Sequence, residues 1–448
     1  MAPLKTLGIL KIKGAVMNLF YEILKISGII YILYIFLYII RVLMSIIIGN
    51  ISEIASGSHS RKNTSIHEFS KKNKYPINGI SVIIPCHNEE KIVKKCIVSV
   101  YRNKIDKANI EVIAVNDGST DGTSQVLKSL KKYYNDLIIV EQENSGKGSA
   151  LNNGIFNYST KDLIMVLDAD STLDSNSLQS NVDYFSQNSS VIACASCIFI
   201  DKYRKIIEIL QYFEYMIGSQ FKLSEKAFNN IFIIGGVASV FRTKELKEVG
   251  GYDKGTKAED VDLSMKLIYY FGNKDYHLSI NFNSISYTPP AHNIRDLIVQ
   301  RYRWKYGLFQ TLLKYKHMFF SRNIKKYSIS LTWWKLPVLL FADEVFVIIS
   351  PFIIIPYYLN LITTNNLSLS FVVSSIFFTL LIIISPIISA KHITFFQKIF
   401  CFLLSPFVAI FMYIMVLVDF LTVILCLFKT NEIINKKNKK STWDHIER

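Results

Sequence analysis

Three acidic strings and one basic–aromatic string hold the side chains of this chain that could do chemistry. Asp168-Ala169-Asp170 closes the apolar run LIMVL. In extended backbone, side chains two residues apart point the same way, so both carboxylates could approach one hard cation. Mg²⁺ suits such a pair, because it takes oxygen ligands and often only one or two carboxylates besides substrate phosphates. Glu259-Asp260, in KAEDVDLSMKLI, opens a helix. There a carboxylate can serve the helix dipole, or Asp260 can act as a general base on an attacking hydroxyl. Gln300, Arg303 and Trp304, in QRYRW, fall at i, i+3 and i+4, one face of a helix. That Arg and Trp can pack as an ordinary cation–π pair. Alternatively, the guanidinium can hold a departing diphosphate while the indole stacks on a sugar ring.

The third acidic string, VNDGSTDGT (115–123), begins like an EF-hand loop. Position 12 counted from Asp117 is Lys128, and the preceding IEVIAV reads as a strand, so the calcium reading fails on both sides. ENSGKGSA (143–150) resembles a P-loop but has Glu141 where the first Gly belongs and Gly148 where Ser or Thr should follow Lys147. No G-x-G-x-x-G follows the first strand, which excludes the common dinucleotide fingerprint. A nucleotide can still bind by another scheme, with a metal rather than a glycine loop neutralising its diphosphate. Cys194 and Cys197 lie in SVIACASCIFI without a second Cys or His pair, so they read as buried structural thiols in a reducing compartment.

The elements that must position these residues alternate from Gly79 onward. SVIIP, IEVIAV, LIIVEQ and DLIMVLDAD read as strands, separated by helical patterns at EEKIVKKCIVSVYRN, SQVLKSLKKYY and SALNNGIFNY. This predicts an α/β domain with a mostly parallel sheet, whose ligands bind beyond the carboxyl ends of the strands. Pro85–Glu89, Asp117 and Asp168–Asp170 all fall at such ends.

Half of the 448 residues are hydrophobic, only 19% are charged, and the formal net charge is +16. Residues 26–48, 337–358, 370–389 and 400–428 are apolar runs long enough to cross a bilayer, which predicts an integral membrane protein. The excess Lys and Arg fit positive-inside bias and anionic headgroups; no basic stripe on a recognisable nucleic-acid fold is present. The expected order is an N-terminal segment with a transmembrane helix (1–50), a polar linker (51–76) and a catalytic domain (77–322). Interfacial and transmembrane helices (323–430) and a Lys-rich tail (431–448) follow. Positive-inside bias conflicts with a simple crossing at 400–428, since that places KKNKK outside. Asp343, Glu344 and Asp419 lie inside apolar runs, where they would face either a polar path or the headgroups.

The ordered series PxxNE, NDGSTDGT, DAD, a GG-containing loop, ED and QxxRW, set between membrane segments, resembles the membrane-type family 2 inverting glycosyltransferases. These include cellulose, chitin, hyaluronan and bacterial poly-N-acetylglucosamine synthases. The resemblance implies a GT-A-like nucleotide-binding domain flanked by N- and C-terminal transmembrane helices. By position it assigns Glu89, Asp117, Lys147, Asp168 and Arg303 to a UDP-sugar, and Asp168 and Asp170 to Mg²⁺ or Mn²⁺. Gly235, Gly236, Gln300 and Trp304 fall to the acceptor, and Asp260 to the catalytic base. The implied reaction extends a β-linked polysaccharide, with possible coupling to export; the alternative is a single transfer to a lipid. A transporter or receptor with a non-catalytic domain would need no such base. The implied location is a multi-pass protein of the plasma membrane with a cytosolic catalytic domain. Ala258 replaces the Thr that commonly precedes ED, and Asn116 stands where many relatives have a second Asp. The 231–242 loop is unlike that of cellulose synthases.

Overall fold

Strand β1 (Gly79–Cys86) is GISVIIPC, buried at every position because both faces of the sheet are covered. Its neighbours split cleanly by parity. Ile83, Ile113 and Val166 enter one core, while Val82, Ile84, Val112, Ala114 and Met165 enter the other. A computed structural model describes residues 76–106, 108–338, 343–352, 382–388 and 393–429, with a few single positions besides. The expected linker, the Lys-rich tail and most of the 26–48 and 370–389 runs lie outside the described residues.

The sheet has eight strands in the order β3-β2-β1-β4-β7-β6-β8-β5. They are β1, β2 (Asn109–Asp117), β3 (Ile138–Gln142), β4 (Leu163–Val166), β5 (Thr172–Leu173), β6 (Val191–Ile200), β7 (Ser239–Arg242) and β8 (His277–Thr288). Strands β3, β2, β1 and β4 are mutually parallel, and β6 and β8 are parallel to each other; β7 and β5 run antiparallel to their neighbours. The expectation of a mostly parallel α/β sheet therefore holds. Because β7 is reversed, Ser239 at its start pairs with Val166 at the end of β4. The 231–238 loop that feeds β7 thus reaches the same edge as Asp168.

Helices α1 (Val93–Tyr101), α2 (Thr123–Lys131) and α4 (Ser177–Gln187) pack on one face. The other face holds α3 (Lys147–Asn153), α5 (Ile206–Ala227), α6 (Thr243–Glu248), α7 (Glu259–Phe271) and α8 (Ile294–Lys314). The segment after α8 continues that packing, since Met318, Tyr327, Leu331 and Leu336 are buried in the same core. Cys194 and Cys197 are buried thiols outside any disulfide, one in each core, as three-residue spacing along a strand requires.

One expectation changes. Asp168-Ala169-Asp170 is not extended strand: β4 ends at Val166, and Ser171 N donates to Asp168 O at 3.0 Å, closing a turn. The two-residue alternation therefore does not orient these carboxylates. Among the described residues no single helix is long and apolar enough to cross a membrane. The 400–428 run is instead a pair, α9 (Phe395–Phe411) and α10 (Tyr413–Phe428), bent by 43° at Met412, and only together does it meet that length and composition. Helix α10 packs along α8. Glu344 pairs with Lys305 of α8 at 2.5 Å, and Glu214 of α5 pairs with Arg301 of α8. Of the acidic residues set in apolar runs, Glu344 thus faces a cation of the catalytic domain.

Helix α8 approaches the residues before α7 through a glycine. A Cβ on Gly307 would stand 2.3 Å from Ala258 Cβ and 2.6 Å from Ala258 N, closer than atoms tolerate. Gly307→Ala should therefore destabilise the fold by about 1–3 kcal/mol, the usual cost of overpacking. Denaturant unfolding checks this; an unchanged midpoint would contradict the contact between α8 and Ala258.

Candidate active site

The carboxyl edge is knitted from two loops. Asn88 sits at φ +58° and its Oδ1 accepts from Thr120 N at 2.8 Å, while Glu89 N donates to Thr123 Oγ1 at 2.8 Å. The Glu89 side chain remains partly exposed. Asp117, fully buried at the end of β2, accepts from Gln142 Nε2 at 2.7 Å and from Ser145 N and Gly146 N, each at 2.9 Å. Its carboxylate thus holds the loop that leads into α3. Gly146, at φ +89°, turns the chain so that Lys147 becomes the first residue of that helix. Gly118 is equally constrained: at φ +64°, a Cβ there would lie 2.6 Å from Asn144 N.

Lys147 then meets two carboxylates from distant parts of the chain. Its Nζ lies 2.7 Å from Asp168 Oδ1 and 3.4 Å from Glu259 Oε1. Burial disfavours the ammonium, but the two carboxylates outweigh it and hold its pKa above the ordinary lysine range. Asp260 is half-buried beside this pair. Burial first and the Glu259 charge second raise its pKa, against the opposing pull of Lys147, a hydrogen bond from Val261 N at 2.9 Å, and Arg303. That Val261 bond occupies Oδ1. Oδ2 faces Gly236, where a Cβ would stand 3.5 Å from it and 3.6 Å from Lys147 Nζ. The missing side chain at Gly236 therefore leaves the space between the acid and the ammonium open. Ser264 fastens that loop to α7, accepting from Ile234 N at 2.9 Å and donating to Asp260 O at 2.6 Å. The Gly235 carbonyl accepts from Ser239 Oγ.

Helix α8 brings Arg303 of its motif within electrostatic reach of the same place. Arg303 acts electrostatically on both Lys147 and Asp260. Trp304 stacks with Arg301, whose guanidinium lies 4.7 Å from the ring centroid and is anchored by Glu214. The cation–π pair suspected in QRYRW therefore exists, but with the Arg three residues earlier, on the same helical face. Gln300 is buried, and its Oε1 has no hydrogen-bond partner among the described residues.

Asp168, Glu259 and Asp260 thus stand with Lys147 and Arg303, and Lys222 of α5 also acts electrostatically on Asp260. Asp170 Oδ1 accepts from Ser171 Oγ at 2.8 Å. Among the described residues no three His, Cys, Asp or Glu side chains cluster as a self-sufficient metal site. Asp168, already paired with Lys147, and Asp170 offer at most part of a coordination shell. The sequence reading gave no role to Glu259, Arg301 or Ser264. Helical spacing from Trp304 could have found Arg301; nothing local ties Glu259 to Lys147, 112 residues away by their numbers.

Residues 81–250 match the family described as Glycosyl transferase family 2. A poly-beta-1,6-N-acetyl-D-glucosamine synthase of Staphylococcus epidermidis is 28% identical over 299 residues, 66% of this chain and 68% of that protein. A synthase of the same description from Staphylococcus aureus is 29% identical over 241 residues, 53% of this chain and 56% of that protein. The matches span between about half and two thirds of these relatives' length. Among solved structures, a mannosyltransferase from Pyrobaculum calidifontis, in complex with GDP-Man and Mn²⁺, superposes with a TM-score of 0.53 at 15% identity. That superposition covers 87% of this chain and 99% of the other, and carries the fold alone. With the expected GT-A-like α/β domain in place, residues 81–250 match a family 2 glycosyltransferase domain and the chain resembles polysaccharide synthases.

Proposed function

We infer that the protein transfers a sugar from a UDP-sugar, with inversion, onto a growing β-linked polysaccharide at a membrane. The observation that carries this reading is the open space at Gly236, bounded by Asp260 Oδ2 and Lys147 Nζ. A base and a cation bordering one gap suit a displacement. The acceptor hydroxyl loses its proton on one side while charge builds on the leaving diphosphate on the other. One displacement on an α-linked donor yields a β-linked product.

Asp260 takes the proton. With Oδ1 held by Val261 N, Oδ2 is the basic atom, and the raised pKa matches its basicity better to a hydroxyl than an ordinary carboxylate would. Lys147 and Arg303 receive the diphosphate. Glu89 and the loop held by Asp117 bound the nucleotide end, and Gly235, Gly236, Gln300 and Trp304 bound the acceptor. Asp168 and Asp170 would hold Mg²⁺ or Mn²⁺, which when bound neutralises diphosphate charge. Poly-N-acetylglucosamine synthases among the relatives favour a β-linked hexosamine product.

The same reading places residues 77–322 in the cytosol, where UDP-sugars are, and the segments on either side in the plasma membrane. Exposed apolar side chains on α9 and α10, among them Phe396, Leu403, Ile410 and Phe428, support lipid contact there, and exposed Trp333 and Trp334 suit the interface. Export of the product would follow through these flanking segments.

Three measurements test the reading. Purified protein supplied with a panel of UDP-sugars and Mg²⁺ or Mn²⁺ should release UDP and form a ladder of long chains. A single glycolipid would point to lipid glycosylation, and no turnover with any donor would refute the transferase reading. Asp260→Asn should lower turnover by about 10²–10⁴, the usual contribution of a general base, while UDP binding persists. In wild type, Asp260 must be ionised to act. Activity should therefore fall as pH drops through a pKa above 3.8 and stay level as pH rises from there. Glu259→Gln removes the neighbouring negative charge and should move that acid limb to lower pH; a limb that stays in place argues against Asp260 as the titrating base.

A further inference from the structure

A second cavity, of about 500 Å³, lies at the β8 edge of the sheet, between α4, the middle of α5 and residues 386 and 390. A break in the β6–β8 ladder borders it. Ser196 pairs with Asn281, but Cys197 pairs with Ile285, so residues 282–284 bulge from the strand. Bulges re-aim side chains, and here Phe282 and Asn283 line the cavity. None of the residues assigned above to the transfer reaction is among the described residues that line it.

The lining selects a ligand class. The amides of Asn176, Gln220 and Asn283 and the carboxylates of Asp174 and Asp183 offer donors and acceptors. Phe199 and Phe282 offer apolar ring faces. Among the described residues the charged side chains that line the cavity are the carboxylates of Asp174 and Asp183, which do not attract an anion. Polar and apolar surface are mixed in the lining, and a wholly apolar chain would leave its amides and carboxylates without the water they lose. Gln220 is only 8% exposed, and its Nε2 lacks a hydrogen-bond partner among the described residues. Buried amides ordinarily have one, so this donor calls for an acceptor from outside the chain. Hydroxyls around a ring with apolar C–H faces meet both demands, and the volume falls in the range of small-ligand sites.

We propose that this cavity binds a short segment of neutral saccharide at a site separate from the transfer centre. The proposal does not require the transfer chemistry to be right, and its test reads binding alone. Full-length protein is titrated calorimetrically with short β-linked oligosaccharides of N-acetylglucosamine and of glucose, without a sugar nucleotide. Binding should be saturable, should survive both Asp260→Asn and saturation with UDP, and should weaken by roughly tenfold, 1.4 kcal/mol, in Phe282→Ala. Asn283→Trp, which fills the cavity from an exposed position, should abolish it. Thermal unfolding of each variant establishes that the fold is kept, and Asn283→Ala replaces any variant that unfolds. Absence of saccharide binding, binding indifferent to these substitutions, binding displaced by UDP, or binding of phospholipid headgroups in place of sugars would each overturn the proposal.

Discussion

The ion pairs of Lys147 hold the site together. One ammonium lies 2.7 Å from Asp168 Oδ1 and 3.4 Å from Glu259 Oε1. Those carboxylates belong to the turn after β4 and to the first turn of α7. With Asp260 next in sequence, neighbouring negative charges would otherwise repel one another, and the ammonium beside them offsets that repulsion. The position of Lys147 depends in turn on Asp117, whose buried carboxylate accepts three hydrogen bonds and fixes the loop before α3. The acidic turn of VNDGSTDGT thereby sets the place of a cation thirty residues on.

This arrangement divides labour among like groups. Asp117 accepts three hydrogen bonds from the protein itself and so holds the loop before α3. Asp260 has one backbone donor, a like charge beside it and an open face at Gly236. Environment, not residue type, separates a carboxylate that organises a loop from one that can accept a proton. The carboxylates around Lys147 and Arg303 are where a divalent cation would arrive with a diphosphate in the proposed reaction.

Helix α8 ties the site to the C-terminal region. On one side Gly307 lets it close onto Ala258, directly before the acidic pair. On another, Arg301 and Lys305 pair with Glu214 and Glu344, and α10 runs alongside. Breaking a buried pair by removing one partner leaves an uncompensated charge, so these contacts specify where α8 lies. Trp304 is fixed by the same system, because Arg301 covers its ring.

Alternation of apolar runs and turn residues was enough to read an α/β sheet, to place Asp117 and Asp168 at strand ends, and to order the motifs that mark the family. Those properties are local: burial on two faces demands continuous apolar strands, and strand ends follow from where that run stops. Glu259 as a partner of Lys147, Arg301 as the partner of Trp304, and the close approach at Gly307 depended on packing. The turn at Asp168–Ser171 also departed from the extended backbone that the apolar run implied, because a hydrogen bond from Ser171 closes it. The bend at Met412 likewise divides an apolar stretch that hydropathy alone treats as continuous. Hydropathy and spacing register what one segment requires of its surroundings. Which distant charge answers a lysine, and which backbone a glycine admits, is settled only when crossovers bring those segments to one edge of the sheet.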